Sequence, residues 1–203
     1  SLKLANAVNI SSNDVLTIQS LDLNGKALTI SAQGENGEIA SALTINNLLT
    51  LDNASSQINS ESSELTLSGG MTLTSGSITS NGGIISLGNV GTVGSEGLLD
   101  VSSSTLFLNA GLSVAGILKT DNSSTLTLNN NNLDLSGGQS TNGGVLETGG
   151  YLSLDGIIFG EKSTIKLNTD SILLSSSPLT LKTIDMAGNS MSLGSESTDL
   201  TIA

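Results

Sequence analysis

The stretch 65–73 reads Leu65-Thr66-Leu67-Ser68-Gly69-Gly70-Met71-Thr72-Leu73. It contains two triplets, each with a threonine between two apolar residues, and a glycine pair lies between the triplets. Apolar and polar residues that alternate with a period of two are typical of a strand with one buried face. Glycine supplies the positive φ values that a sharp corner requires. The stretch therefore predicts two short strands joined by a corner, with Leu65 and Leu67 pointing inward and Thr66 pointing outward.

Triplets of this kind recur along the whole chain in three families. The first family, at a spacing of roughly 20 residues, consists of Leu21-Asp22-Leu23, Leu43-Thr44-Ile45, Leu65-Thr66-Leu67, Ile85-Ser86-Leu87, Leu106-Phe107-Leu108, Leu126-Thr127-Leu128 and Ile165-Lys166-Leu167, with room for one more member near Val145-Leu146-Glu147. The second family consists of Leu28-Thr29-Ile30, Leu49-Thr50-Leu51, Met71-Thr72-Leu73, Leu112-Ser113-Val114, Leu133-Asp134-Leu135, Leu152-Ser153-Leu154, Ile172-Leu173-Leu174 and Met191-Ser192-Leu193. A third, weaker family includes Ile58, Ile78, Leu99 to Val101, Ile117-Leu118, Ile157 to Phe159, Leu179 to Leu181 and Leu200 to Ile202.

A repeat of this length predicts a solenoid, because one unit is too small to bury its own apolar face and must stack on the next. Three families give three short strands per coil, so we expect an all-β parallel β-solenoid of about ten coils. The whole chain, residues 1–203, then forms a single domain. An antiparallel sandwich also has short strands, but it does not explain why three families of triplets keep the same spacing along the whole chain.

Composition excludes several classes of function. The chain has 18 acidic residues against 6 lysines, a net charge of −12, and no Cys, His or Arg. Nucleic acid is therefore not an expected partner, since phosphate binding needs clustered basic residues. Ser-His triads, thiol nucleophiles and zinc or haem sites with His or Cys ligands cannot form. No apolar run has the roughly 20 residues of a membrane helix, so we expect no membrane insertion by this segment.

Carboxylates are the groups left for chemistry. Six aspartates stand singly in different coils: Asp22, Asp52, Asp100, Asp134, Asp155 and Asp170. Glu35, Glu38, Glu61 and Glu64 come closest to a cluster, in two loop-like stretches that we expect to stack one coil apart. The four glutamates form a solvated acidic corner, a calcium site, since Ca²⁺ takes several oxygen ligands, or a catalytic pair. We assign no catalytic or cofactor-binding residue, and Ca²⁺ is the one cofactor that the pattern allows.

A few other residues stand out on the expected surface. Phe107 occupies the outward position of its triplet, Tyr151 flanks a corner, and Phe159 fills the core. Outward threonines such as Thr44 and Thr66 are expected to stack as a ladder. A regular Thr-x-Thr grid is typical of ice binding, but too few triplets have that spacing. The run 129–132, four asparagines, forms a polar ladder at a corner or a loop.

The repeats and the Ser/Thr/Asn/Gly-rich background resemble the parallel β-helical stalks of bacterial surface proteins, namely autotransporter passengers, haemagglutinin-like adhesins and extracellular fibre proteins. The stretch Leu21 to Ile30 is representative. Asn-Gly-Gly-Ile at 81–84 is similar to the Gly-Gly-Ala-Ile element of some polymorphic passengers, but its Phe-x-x-Asn partner is absent. The resemblance implies a secreted or cell-surface location and a structural or adhesive role without catalysis.

The repeat also bears on partners. The triplet pattern is already running at Leu2 and still runs at Ile202, so we expect a fragment or mature part of a longer repetitive chain. Uncapped coil ends expose unpaired backbone and apolar core. The expected partners are further copies stacked end to end, or a glycan or protein at a host or cell surface. The alternative function is a carbohydrate-active or carbohydrate-binding β-helix.

Overall fold

The computed structural model describes residues 1–11, 15–31, 42–120, 123–127, 129, 131, 133–135, 145–153, 157–159, 164–176, 178–181, 183–194 and 200–202. All regular secondary structure in these ranges is β-strand. The first strands are β1 Leu2–Lys3, β2 Val8–Ser11, β3 Val15–Ile18, β4 Leu21–Asp22, β5 Ala27–Ser31, β6 Ala42–Ile45, β7 Leu49–Leu51, β8 Gln57–Glu61, β9 Glu64–Leu67, β10 Met71–Asn81, β11 Ile84–Leu87 and β12 Gly91–Asp100. The others are β13 Thr105–Leu108, β14 Leu112–Val114, β15 Ile117–Lys119, β16 Thr125–Thr127, β17 Leu133–Asp134, β18 Val145–Ser153, β19 Ile157–Ile158, β20 Thr164–Leu174, β21 Leu179–Leu181, β22 Thr183–Asp185, β23 Met191–Leu193 and β24 Leu200–Ile202.

The strands of the described residues pair in parallel throughout, each with a strand one turn earlier or later. This confirms the parallel β-solenoid. Its turns have three faces. Face A is the six-stranded sheet β3-β6-β9-β11-β13-β16. Face B joins β7, the first part of β10, the first part of β12, β14, β17 and β19. Face C is the path β2-β5-β8-β10-β12-β15-β18-β20-β22.

The core is a set of inward ladders, as the triplets predict. Leu43, Leu65, Ile85 and Leu106 stack in register on face A and are fully buried. Leu67 is also fully buried, and Thr66 between them is half-buried on the outer side. Such apolar burial, at about 25 cal/mol per Å², is the main stabilising contribution to the fold.

Leu126 departs from this pattern. It pairs with Leu106 in register but is only partly buried. The reason is that β16 is an outermost strand of face A in the described residues, so Leu126 has an apolar neighbour on one side. The inward direction that its triplet predicts is therefore confirmed for Leu126, but its burial is incomplete. Leu128 lies outside the described residues.

The predicted number of coils is too high. The solenoid has about seven turns of about 21 residues, not ten. Two turns are longer than the others, whereas the expectation assumed turns of one length, and these two turns account for only a small part of the difference. They are the turn that leads from Leu28 to its register partner Ile58 and the turn that leads from Leu118 to its register partner Leu146.

The three families also change phase at these two long turns. Leu28 stacks on Ile58 of the third family rather than on Leu49. Val145-Leu146-Glu147 lies on face C beside Ile117–Lys119 rather than on face A, and Ile165 stacks on Leu146. Leu21 pairs with Leu2 in a separate two-stranded sheet. The predicted phase is thus correct in the described strands from residue 42 to residue 134. It is shifted by one face in the strands before the first long turn and in those that follow the second.

Several single-residue expectations can be compared with the structure. Phe107 points outward and is half-buried, as predicted, and Phe159 is partly buried against the core. In 172–174 the alternation is reversed: Leu173 is fully buried and Ile172 is 38% exposed. The side chain of Tyr151 lies outside the described part of the chain.

The corners follow the predicted chemistry. Asn24 and Gly25 both have positive φ, 50° and 72°. Gly70 has φ of 83°, and a Cβ atom on it would lie 2.2 Å from the Val90 carbonyl oxygen of the next turn. Glycine at 70 therefore allows both the left-handed backbone and the close stacking of neighbouring corners.

Candidate functional site

A polar cleft lies on the side of the solenoid in its first turns. It has a volume of about 200 Å³ and is lined by Asp22, Leu23, Asn24, Gly25, Thr50, Asp52, Asn53 and Ser56. The two segments that form it are the end of β4 with the turn after it and the end of β7 with the turn after it. The sequence indicated that Asp22 and Asp52 stand alone, but the structure places both on this cleft.

The cleft exists because the ladder is interrupted here. Strand β4 pairs with β1, and β7 pairs with β10. Within the described residues no pairing joins β4 to β7. The interruption coincides with the first of the two long turns, and the polar corners of the two segments face the resulting gap.

Asparagine side chains hold both corners of the cleft. Asn24 Nδ2 donates to the Leu4 carbonyl oxygen at 3.3 Å, across one turn of the solenoid. Asn53 Oδ1 accepts from the backbone N–H of Ser55 at 2.9 Å, and the N–H of Ser56 donates to the Asn53 carbonyl oxygen at 2.8 Å. Such side-chain bonds to nearby backbone are the reason that Asn favours turns.

The hydrogen bonds to Asp22 favour its ionised form. Lys3 Nζ lies 3.0 Å from Asp22 Oδ2, and the backbone N–H of Asn24 donates to Asp22 Oδ1 at 2.9 Å. The Lys3 hydrogen bond, followed by that of Asn24, lowers the pKa of Asp22 below its ordinary value. A general acid needs the opposite shift. The arrangement can accept hydrogen bonds from a polar ligand, but Asp22 is not suited to donate a proton.

A row of alternating charges runs along face C. In register, Asp100 lies beside Lys119, Lys119 beside Glu147, Glu147 beside Lys166, and Lys166 beside Asp185. Opposite charges on facing positions of neighbouring strands stabilise a sheet, and like charges destabilise it. We call these five positions the charged row. It reduces charge repulsion along the axis of a rod whose net charge is −12.

The pair at the start of the charged row is the best defined. Lys119 Nζ lies 2.7 Å from Asp100 Oδ2, and Ser102 donates to Asp100 Oδ1 through both its backbone N–H and its hydroxyl, at 3.0 and 2.6 Å. Burial by itself raises the pKa of Asp100, but the hydrogen bonds from Lys119 and Ser102 outweigh it and lower the pKa below its ordinary value. Asp100 is therefore a structural carboxylate that stays ionised.

The glutamate cluster is not assembled in the described residues. Glu61 lies beside Ser31 and Asn81 in register, and Glu64 beside Ala42 and Ile84. Glu35 and Glu38 lie outside the described residues. Among those described, no three acidic side chains gather in a way that could hold a metal ion. The calcium hypothesis for the four glutamates remains a prediction.

The other aspartates are separate from the cleft. Asp170 Oδ1 accepts from the backbone N–H of Ser190 at 2.8 Å, and the backbone and side-chain hydrogen bonds of Ser190 lower the pKa of Asp170. Asp134 lies between Ser113 and Ile158 on face B. Asp155 lies outside the described residues.

The outward surface of face A is a mixed row. Thr17, Thr44 and Thr66 stack in register as the predicted ladder, and Ser86, Phe107 and Thr127 continue it. Phe107 interrupts the threonines, so the row is not a regular grid. The asparagine run forms a corner ladder in part: Asn129 Nδ2 donates to Asn109 Oδ1 at 2.9 Å, and Asn131 Nδ2 donates to the Leu108 carbonyl oxygen at 3.0 Å. Asn130 and Asn132 lie outside the described residues.

Sequence reasoning missed both the polar cleft and the charged row. The charged row can be recognised in the sequence, because acidic and basic residues alternate along it. Three of the four spacings between successive members have the same number of residues, and the fourth spacing contains the second long turn. The cleft has a weaker signal, since Asp22-Leu23-Asn24 and Asp52-Asn53 are both polar corners within or after a leucine triplet. The two corners lie close together only because of the way the first turns stack. That stacking could not be predicted, because the triplet families change phase at the first long turn.

Comparisons with known proteins add no family. No protein-family model, no curated protein and no solved structure matches the chain. In the part of the chain that the structure describes, no helix has the length and apolar character needed to cross a membrane.

Proposed function

We propose that this chain is a structural and adhesive rod segment that functions outside the cell, at a cell surface or in a secreted filament. The observation that carries the proposal is the continuous apolar core of stacked ladders, which has open strand edges at both ends. A parallel ladder closed on three faces resists bending, and its strands have unpaired edges only along the axis. The resemblance to β-helical stalks of bacterial surface proteins favours the same role.

Exposed apolar side chains at the outermost strands support axial association. Leu16 is 38% exposed in β3, an outermost strand of face A. Leu193 in β23 is 46% exposed and Ile202 in β24 is 57% exposed. The register partners of Leu16, Leu193 and Ile202 in the next inner turn are Leu43, Leu173 and Leu181, and all three of these partners are buried. The partner that fits is a further coil, from a second copy or from a continuation of the same chain.

The charges agree with stacking rather than with lateral bundling. With a net charge of −12, side-by-side rods repel each other. In the charged row, acidic and basic residues alternate in register from turn to turn, and the Asp100–Lys119 ion pair compensates this repulsion along the axis. We therefore expect an axial interface of backbone hydrogen bonds and stacked Leu, Ile and Val.

Sedimentation velocity and negative-stain images at rising protein concentration test this proposal. Wild-type rods should lengthen without thickening. Leu16→Lys should reduce the association because it puts a charge at the end of a core ladder, and Ile202→Lys should do the same at the opposite end. Val90→Lys is the matched control, since Val90 is 59% exposed on the side of the middle turns. Strictly monomeric wild-type rods, or equal effects of Val90→Lys and both end variants, would rule out axial association.

A second candidate function is carbohydrate binding, and the polar cleft is the observation that favours it. Carboxylate and amide groups at Asp22, Asp52, Asn24 and Asn53 are suitable partners for sugar hydroxyls. The lowered pKa of Asp22 supports binding rather than glycoside hydrolysis, which needs one carboxylic acid with a raised pKa. A screen of soluble oligosaccharides by calorimetry, with Asp52→Asn as the variant and Val90→Lys as the control, tests it. Binding that Asp52→Asn leaves unchanged would exclude the cleft.

A further inference from the structure

Three Asn-x-Ser/Thr tripeptides occur in the chain: Asn9-Ile10-Ser11, Asn53-Ala54-Ser55 and Asn122-Ser123-Ser124. This tripeptide is the acceptor sequence for N-linked glycosylation when the middle residue is not proline. The first two lie within the described residues and have different local structures. Asn122 lies outside them.

The Asn53 tripeptide projects from the side of the rod in the longest of four stacked corners. Between faces B and C, the corner after Leu51 has five residues, 52–56, before Gln57. The corners stacked above it, between register partners, have three residues, 74–76, four residues, 94–97, and two residues, 115–116. The additional residues extend outward, and residues 52–55 are all exposed.

The side chain of Asn53 is already arranged for the reaction. Its Oδ1 accepts from the Ser55 backbone N–H at 2.9 Å, which is an Asx turn. This turn folds the Asn53 side chain back onto the backbone of Ser55, the residue that supplies the hydroxyl of the acceptor tripeptide. Gly25 leaves space in front of the amide: a Cβ atom at residue 25 would lie 3.2 Å from Asn53 Nδ2. The amide nitrogen therefore borders the open polar cleft.

Asn9 has the same tripeptide in an unsuitable setting. It lies in strand β2, whose backbone pairs with β5 in the register Asn9 to Thr29 and Ser11 to Ser31. Its Oδ1 accepts from the Ser31 hydroxyl at 3.1 Å rather than from the backbone N–H of Ser11. Ile10 packs against the core, so a transferase would have to pull this strand from the ladder to bend it into a turn.

We infer that Asn53 is an acceptor site for N-linked glycosylation, with a lipid-pyrophosphate-linked oligosaccharide as the donor. In the transfer, Asn53 Nδ2 forms a bond to C1 of the first sugar and loses a proton to a base of the transferase. The bond between C1 and the donor's phosphate oxygen breaks, and the lipid pyrophosphate leaves. The glycan would project from the side of the rod and leave both axial ends free, so this inference is independent of axial association.

The test uses the folded 203-residue chain with a purified single-subunit oligosaccharyltransferase and a lipid-linked oligosaccharide, read by intact mass and by glycopeptide mapping. Wild-type protein should gain a glycan on Asn53, and Ser55→Ala should lose it. Ser55→Ala keeps the backbone donor of the Asx turn, so the fold is not affected. Ser55→Thr should retain the glycan, and Asn9→Gln should leave its amount unchanged.

A second arm separates the effect of the local fold from that of the tripeptide alone. Synthetic peptides spanning residues 5–15 and 49–59 should be modified to similar extents, whereas the folded chain should be modified at Asn53 and not at Asn9. Modification of the folded chain at Asn9 in preference to Asn53, or no glycan on Asn53 while the 49–59 peptide is modified, would overturn the inference.

Discussion

The middle turns, residues 57–120, and the outermost strands β2, β3, β23 and β24 share one triplet pattern but differ in burial. Leu65 and Leu16 belong to the same ladder of face A, through Leu43. Leu65 is fully buried, and Leu16 is 38% exposed. The difference comes from neighbours: an inner strand has a turn on both sides, and an outermost strand has one. In a solenoid, the apolar or polar character of a residue therefore decides whether its side chain points inward or outward. How deeply an inward side chain is buried depends on whether a turn stacks on both sides of it or on one.

The largest expected effect comes from this ladder itself. Leu65→Ala should lower the free energy of unfolding by roughly 2–5 kcal/mol, because it leaves a cavity between two complete turns. Leu16→Ala, the same substitution at the end of the ladder, should cost about 1 kcal/mol or less, since much of that side chain is already in water. Urea unfolding of both variants measures the difference. Equal costs would show that the outermost strand is covered in solution.

A glycine pair gives a smaller effect of the same kind. Gly76 in the middle and Gly188 near the far end both have positive φ, 87° and 85°. A Cβ atom on Gly76 would lie 2.4 Å from the Ser56 carbonyl oxygen, whereas one on Gly188 meets nothing within 4 Å. Gly188→Ala should cost about 1 kcal/mol for the left-handed backbone alone. Gly76→Ala should cost roughly 1–3 kcal/mol more, as strain from the close contact is added.

Thermal and urea unfolding of the two glycine variants, side by side, test this. Similar losses would mean that the corners of neighbouring turns are not in close contact, and the comparison between the middle and the ends would then fail for the corners.

The smallest effect concerns two lysine–aspartate pairs. Lys119→Met should cost about 1 kcal/mol, the upper end of the range for exposed ion pairs, because Lys119 is 39% exposed while its partner Asp100 is mostly buried. Lys3→Met should have no measurable effect, since both partners of the Lys3–Asp22 pair are more than half exposed. The folded pKa of Asp100 lies below its ordinary value of 3.8. Its stabilisation is therefore complete above that pH and is lost as the pH falls through the folded pKa.

Unfolding free energies measured between neutral pH and about pH 2 provide the check. Wild type should lose the Asp100 contribution below its ordinary pKa, and Asp100→Asn should lack that part of the pH dependence. An Asp100→Asn variant with an unchanged pH profile would show that the pair does not stabilise the fold.

Much of the fold could be predicted from the sequence because its signals are local. Leu65-Thr66-Leu67 by itself predicts a strand with its two leucines pointing inward, and Gly70 by itself predicts a corner. The face on which a strand lies is not local. It depends on every turn length before it, so the single long turn from Leu28 to Ile58 was enough to shift the assignment of Leu28.

The candidate site was harder to predict from the sequence for the same reason. Asp22 and Asp52 are separated by more than one ordinary turn of sequence, and nothing in either triplet indicates that they share a cleft. Their proximity arises where a ladder is interrupted, which is a property of how turns stack. Lys119 and Asp100 are one ordinary turn apart and could have been paired by counting residues.

Hydrogen exchange of backbone amides, followed by mass spectrometry at low and high protein concentration, shows whether the solenoid has a closed middle and open, stackable ends. We expect β9, β11 and β13 to exchange slowly at both concentrations. We expect β3, β23 and β24 to exchange fast when dilute and to become protected when concentrated, as rods join end to end. Uniform protection along the chain at low concentration, or protection that rises on the sides of the middle turns and not at the ends, would contradict this expectation.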